Sequence, residues 1–387
     1  MRHRADPHFL PELQKQGAAN IELCFNCGNC TAVCPLSTEK ENFPRRMIRY
    51  AQLGMPEKLI GNKELWMCYY CGECTATCPR QADPGELMAA ARRYAISRYD
   101  RLGLARLLYT SSTFNVLFLV LLAIVLGLLL YAFHGPMARD TLRLFGFIPA
   151  HVIHDIGVIA GVIIILLAIS GVISMTFHLA KETGGPEGTC LNWLPALWTT
   201  IGEVFGQQRY RRDCEAYAKT QPWYIEKWFI HASIMWGFMG LFLATALDYL
   251  LGLLGVKPTG TYVPIWYPTR LLGTLAGAIL VCGVTVAIVK RLRKTDEAAA
   301  YSTPSDWAFL VLLWLGGMSG FALEAAIYLP QPYGWSYWML LAHLVIVGEL
   351  LLLWPFSKFA HVFYRTVALY IHALKPVPGT ERARAGL

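Results

Sequence analysis

The sequence predicts an all-α protein in two parts: a polar, cysteine-rich head of short helices over residues 1–110, then a bundle of six long apolar helices over 111–387. Three observations predict it. Residues 24–35 read CFNCGNCTAVCP and residues 68–79 read CYYCGECTATCP. After the head come six apolar stretches, each near the ~20 residues that cross a bilayer as a helix. No run alternates apolar and polar residues as a half-buried strand would.

The two cysteine runs share the spacing C-x2-C-x2-C-x3-C-P, which in ferredoxins holds two [4Fe–4S] clusters. Each cubane takes three thiolates from one tight loop, and the fourth comes from the end of the other run. That rule assigns Cys24, Cys27, Cys30 and Cys78 to one cluster. Cys68, Cys71, Cys74 and Cys34 go to the other. Zinc prefers two separated Cys pairs, which a twice-repeated four-Cys run does not offer. The other three of the eleven cysteines, Cys190, Cys214 and Cys282, have no metal-like spacing and read as free thiols of a reducing compartment.

The head reads as helical. In NFPRRMIRYAQLG, Asn42 and Pro44 open a helix and Gly54 closes it. Asp83-Pro-Gly-Glu86 has the form of a capping box before LMAAARRYAIS. The N-terminal MRHRADPHFLPELQKQGAAN has no apolar core, so no cleaved signal peptide is expected.

Hydrophobic residues make up 55% of the chain and charged ones 16%, a balance foreign to an ordinary soluble globule. The spans are expected at about 113–133, 152–179, 228–250, 270–290, 307–329 and 336–356. The first, TFNVLFLVLLAIVLGLLLYAF, carries no charge. Lys and Arg fix the orientation. They crowd before the first span (Arg92, Arg93, Arg98, Arg101, Arg106), in the 180–227 loop and in the 290–306 loop, while the alternate loops hold few. The head, those loops and both termini are therefore expected on the cytoplasmic side of the inner (cytoplasmic) membrane. The +8 net charge is a topology signal, and no nucleic-acid partner is implied. In the longest loop, WLPALWTTIGEVFG reads as an interfacial helix with Trp193 and Trp198 at headgroup level.

Histidines point to haem. His343 and His361 are eighteen residues apart, five full helical turns, so a continuous helix would carry both on one face about 27 Å apart. Such a helix would present one imidazole near each surface of the ~30 Å hydrocarbon layer, as two stacked b haems require. Each iron needs a second imidazole at equal depth. His154 matches His343 on the outer side. His231 and His178 both match His361 on the inner side. Glu324 and Glu349 lie within spans, where a carboxylate is costly and functional by default. They read as relays for the protons that accompany quinone chemistry.

At this point the residues resemble known families. The two Cys runs resemble those of the C subunit of heterodisulfide reductase. AHLVIVGELLLLWPFSKFAHVF, with His343 and His361, resembles the ligand-bearing end of the dihaem cytochrome b that serves as gamma subunit of respiratory nitrate reductase. EVFGQQRYRR…EKWFIHASIMWGFMGLFLAT looks like that family's other ligand helix and puts His231, in preference to His178, on an axial position. The nitrate reductase pattern has a second His ten residues on; this chain has Leu241 there, so His154 is assigned to the outer haem from depth alone.

The fusion of these two parts resembles the membrane-embedded C subunits of quinone-interacting membrane-bound oxidoreductase complexes. The resemblance implies menaquinone as substrate and cytoplasmic flavin- and iron–sulfur-bearing partners similar to the A subunit of heterodisulfide reductase. It also implies a link to adenylylsulfate reductase in dissimilatory sulfur metabolism. A heterodisulfide reductase-type complex is the near alternative, and a transporter or sensor regulated by its cluster head is the alternative outside redox chemistry. No Cys-Cys-Gly motif, C-x-x-C-H or helix-opening GxGxxG occurs, so disulfide reduction, covalent haem and flavin or nicotinamide binding are not expected of this chain.

Overall fold

The computed structural model describes residues 4–38, 42–183, 192–215, 222–257, 262–295, 301–329 and 334–374. Cys190 and His3 lie outside them, as does the side chain of Cys214. The described residues are helical, with no strand among them.

In the head, short helices enclose a core of fully buried side chains, among them Phe9, Leu13, Ile21, Met47, Ile48, Leu59, Ile60 and Trp66. Pro44 stands at the N-cap of the helix Arg45–Gln52, and Gly54 follows it at φ +67°, as its sequence punctuation predicts. The longest head helix, Pro84–Tyr99, is buried on nearly every side. Its expected capping box is absent. Asp83 sits in the left-handed region and caps nothing; its carboxylate accepts from Asn20 Nδ2 at 2.7 Å and from the Tyr301 hydroxyl at 2.9 Å. Glu86 turns to Arg93 and to the Tyr70 hydroxyl at 2.7 Å. Charged and long-range partners outbid a local cap worth about 1 kcal/mol.

Six helices are long and apolar enough to cross a membrane. They are Ser112–Tyr131, Ala150–Thr183, Lys227–Leu253, Pro268–Arg293, Pro304–Ile327 and Trp335–Leu352. Leu117, Leu121, Leu128, Ile159, Leu166 and Phe177 stay exposed, as lipid-facing side chains do. The third and fourth spans approach closely through small residues: a Cβ on Gly237 would meet Ala276 O at 2.8 Å and Leu280 N at 2.7 Å. Close backbone approach through small side chains is the usual glue between apolar helices in lipid.

The second span is the longest, and 34 residues at a rise of 1.5 Å make about 50 Å, more than the ~30 Å of hydrocarbon. Its surplus end reaches the head. There His178 Nδ1 stands 3.2 Å from Glu57, and Lys181 Nζ 3.9 Å. A single apolar core runs from Phe9 through Met175 and Leu280 to Ala368, so head and bundle are packed together.

A second expectation is overturned. His343 and His361 do not share a helix. The sixth span ends at Leu352; short 3-10 turns over Trp354–Phe356 and Lys358–Ala360 follow, and a separate helix runs His361–Ala373. Pro355 cannot donate to the helical ladder and clashes with the preceding turn. Ser357 then takes an extended backbone and its hydroxyl accepts from Phe359 N at 3.2 Å. The same-face arithmetic therefore does not apply. A helix is present at Trp193–Gly206, where one was expected, with Trp193 and Trp198 exposed; it packs on the helix that begins at His361.

Candidate metal centres

The two cysteine loops are built alike. Asn26 and Tyr70 take φ of 61° and 57°, Gly28 and Gly72 take 92° and 97°, and helical turns follow over Asn29–Ala32 and Glu73–Ala76. Such turns aim successive side chains and amides inward. Asn26 N donates to Cys24 Sγ, Tyr70 N to Cys68 Sγ and Ala82 N to Cys78 Sγ, each at 3.4 Å. The fourth cysteine of each run has cysteines of the other run among its electrostatic neighbours. The electrostatic neighbours of Cys30 are Cys24, Cys27 and Cys78, while those of Cys34 are Cys68 and Cys71. Cys74 faces Cys68, Cys71 and Cys34, and more weakly Cys30.

These thiols fit a polynuclear centre. Among the described residues no three His, Cys, Asp or Glu side chains converge tightly enough for a single metal ion. Burial pushes the Cys30 thiol up, and Cys34 up to about 12. Thiols so placed ligate when a metal's charge replaces the proton.

The surroundings of the two loops differ. Cys24 O accepts from the neutral Gln52 amide at 2.8 Å. Cys68 O accepts from Arg365 Nη1 at 3.2 Å and from Arg92, and Cys71 O accepts from Lys227 Nζ at 2.8 Å. The second loop is thus seated on the bundle among three cations.

Beneath the second loop, His231 of the third span and His361 lie with ring centres 6.2 Å apart at 62°. Two imidazoles bonded through Nε2 to one iron between them, each bond about 2 Å and each ring centre about 1 Å further, would stand about 6 Å apart. His231 Nδ1 lies 3.0 Å from Gln207 Oε1, and His361 Nδ1 lies 2.7 Å from Lys358 O. An acceptor on Nδ1 fixes the tautomer with its proton there and leaves Nε2 as the ligating atom. His178 is elsewhere, between Glu57 and the Tyr99 ring at 5.9 Å.

Towards the far end of the bundle, His343 Nδ1 lies 2.9 Å from Ser319 Oγ, with Gly320 alongside its ring. His154 packs edge-on against Tyr249 at 4.6 Å. The described contacts of these two rings are with different neighbours. Glu324 accepts from Thr274 Oγ1 at 2.9 Å and lies 3.4 Å from Arg270 Nε. Glu349 is buried, and its Oε1 has no hydrogen-bond partner among the described residues.

Sequence reasoning missed what lies between the imidazoles and the second cysteine loop. Tyr210 stands edge-on to His231 at 5.9 Å, and Tyr69 stacks on Tyr210 at 4.9 Å and 7°. The Tyr69 hydroxyl donates to Glu203 at 2.6 Å, and the Arg365 guanidinium lies 4.0 Å over its ring. Tyr69 sits between Cys68 and Cys71, so a continuous aromatic contact joins the imidazole pair to the cysteine loop. No spacing rule joins residues so distant in the chain. Their one local signal is the pair of tyrosines inside a cysteine run.

Comparison with known proteins agrees on the head. A family model described as a 4Fe-4S dicluster domain matches residues 18–79. The chain is 31% identical over 161 residues to Citrate utilization protein B of Escherichia coli, covering 40% of each chain. It is 33% identical over 61 residues to the C subunit of the H(2):CoB-CoM heterodisulfide,ferredoxin reductase of Methanothermobacter marburgensis, 16% of this chain and 33% of that one. It is 33% identical over 88 residues to a protein of Archaeoglobus profundus described as like the C subunit of heterodisulfide reductase, 22% of this chain and 47% of that one. The chain thus spans between a third and a half of the length of these relatives. No solved structure matches it. The head is an iron–sulfur domain similar to the C subunit of heterodisulfide reductase, and six helices able to span a membrane follow it.

Proposed function

We propose that the chain is the membrane electron-transfer subunit of a quinone-linked oxidoreductase complex. It conducts electrons between menaquinone in the bilayer and cytoplasmic flavin/iron–sulfur proteins similar to the A subunit of heterodisulfide reductase, with adenylylsulfate reductase as the enzyme beyond them. The observation that carries the reading is the His231–His361 pair at 6.2 Å, joined through Tyr210 and Tyr69 to a cysteine loop. Two b haems and two [4Fe–4S] clusters, when bound, supply the one-electron chemistry that no side chain here can supply.

The roles follow from position. Residues 1–110 form the cluster domain and 111–387 the haem-bearing membrane domain of the inner membrane, with both termini cytoplasmic by the Lys and Arg distribution. Cys24, Cys27, Cys30 and Cys78 hold the first cluster, and Cys68, Cys71, Cys74 and Cys34 the second. His231 and His361 hold the inner haem, with His178 the alternative to His231; His343 and His154 hold the outer one. Gln207, Lys358 O and Ser319 orient the ligating rings. Glu349, buried with an unfilled acceptor, and Glu324, held by Arg270, move protons for the quinone. The second cluster lies nearer the haems because its loop is the one seated on the bundle. Relatives with names as different as citrate utilization and heterodisulfide reduction share stretches with this chain, which favours an adaptable electron-carrying module and keeps a heterodisulfide reductase-type complex as the second reading.

The crossover gives a specific expectation. Cys30→Ser and Cys78→Ser should each abolish the same cluster signal in electron paramagnetic resonance. Cys34→Ser should abolish the other, each variant losing about half of the acid-labile sulfide. If Cys30→Ser and Cys34→Ser remove the same signal, the crossover is wrong. The function itself is tested by adding a menaquinol analogue to the purified chain. A low-spin b-type band should develop in the reduced-minus-oxidised spectrum. A featureless difference spectrum would reject the electron conduit and favour a cluster-regulated transporter or sensor.

A further inference from the structure

The first cysteine loop borders a cleft of about 870 Å³ on the head. Among the described residues, Arg45, Arg46 and Arg49 line it together with Cys24, Phe25 and one carboxylate, Glu22. Arg45 and Arg49 are exposed. Arg46 is committed to Glu64 at 3.6 Å. The Arg45 guanidinium lies against Gly28, inside the cysteine loop, with Nη1 3.4 Å from where a Cβ would stand. Cys27 is exposed, and the Phe25 ring beside it is 60% exposed.

Contacts between head and bundle are made by other residues, Glu57, Trp66, Cys68, Tyr69, Cys71, Asp83 and Arg93. The cleft opens beside the first cysteine loop, whose Cys27 is exposed. The geometry points to this cleft as the port of the electron path: an acidic segment of the soluble redox partner docks against Arg45 and Arg49 and brings its own carrier to the first cluster. A surface of one sign beside a redox centre steers an oppositely charged carrier and sets its register. Phe25, in the lining of the cleft, gives the contact an exposed apolar anchor, the kind of aromatic that dominates docking energy. The proposal rests on the electron-carrier reading given above.

The test uses the intact, cluster-loaded chain in detergent and a fluorescein-labelled decaglutamate peptide as the acidic probe. Fluorescence anisotropy should show binding at low salt that weakens as salt rises. Binding should weaken at least tenfold in Arg45→Glu/Arg49→Glu and stay unchanged in Arg101→Glu, a control on an exposed arginine outside the cleft. Bound peptide should also slow the oxidation of the reduced first cluster by ferricyanide, each ferricyanide taking one electron to become ferrocyanide. Equal binding by the charge-reversed protein overturns the port, as does peptide binding that leaves the oxidation rate unchanged. A preparation without cluster iron and sulfide overturns the electron-carrier reading and the port with it, whereas loss of contrast with clusters intact overturns the port alone.

Discussion

On the proposed pairing, replacing either His231 or His361 with alanine should remove about half of the protohaem and leave the cluster signals intact, because a bis-imidazole iron needs both rings. Loss should be nearly complete for that one haem in either variant. The two ring centres are 6.2 Å apart, a separation at which both imidazoles could bind one iron, and each is held by a fixed acceptor on Nδ1. The positioning residue Gln207 supplies a graded test. Gln207→Leu removes the acceptor on His231 Nδ1, and loss of such a partner typically weakens metal affinity 10–100-fold; the variant should bind haem that is washed out by mild dialysis. Exogenous imidazole should restore the band in His231→Ala, where a cavity beside the iron remains. His178→Ala is the decisive contrast. That ring sits between Glu57 and Tyr99, so its loss should loosen the head and spare the haem. Haem lost from His178→Ala and retained in His231→Ala would overturn the pairing. Pyridine haemochrome quantitation against iron and sulfide measures all of these.

Much of this was legible from the chain alone, for physical reasons. Lipid demands some twenty apolar residues per crossing, so the spans announce themselves, and all six helices lie within a few residues of expectation. Cluster ligation demands a fixed local spacing, so the cysteines do too. The helix assigned across His343 and His361 failed because angular arithmetic assumes an unbroken helix. Pro355 stood in the sequence as the sign that it was broken. The break is what frees His361 to begin a new helix and meet His231 from a different direction. The capping box at Asp83 failed for a related reason: local pattern cannot see Asn20 and Tyr301, which claim that carboxylate from distant parts of the chain. Tyr69, Tyr210 and Arg365 were invisible for the same cause. Their roles exist only after tertiary packing brings three remote segments to one place.

The second large effect concerns the joint between head and bundle. Arg93 is buried, with 9% of its side chain exposed, and it faces two buried carboxylates. It pairs with Glu86, lies 3.6 Å from Asp306 at the start of the fifth span, and donates from Nε to Gln16 O at 2.7 Å. Lys358 completes the group at 2.9 Å from Asp306. Burial pushes the Glu86 carboxyl up, and the Arg93 guanidinium beside it opposes that push. Arg93→Met keeps the apolar stem of the side chain but strands Glu86 in low dielectric and leaves Asp306 paired with Lys358. Removing one partner of a buried ion pair costs about 3–5 kcal/mol. Glu86 also accepts from Tyr70, a residue of the second cysteine loop, so the damage should reach the cluster seated on the bundle. The expected result is cleavage of the head by dilute protease at temperatures where the unaltered chain resists, with early loss of one cluster signal. Arg93→Met/Glu86→Gln should recover part of the resistance, since it removes the stranded charge. Recovery identifies an electrostatic joint; a double variant as weak as the single one would mean that Arg93 holds the head through its hydrogen bond to Gln16 and its packing alone.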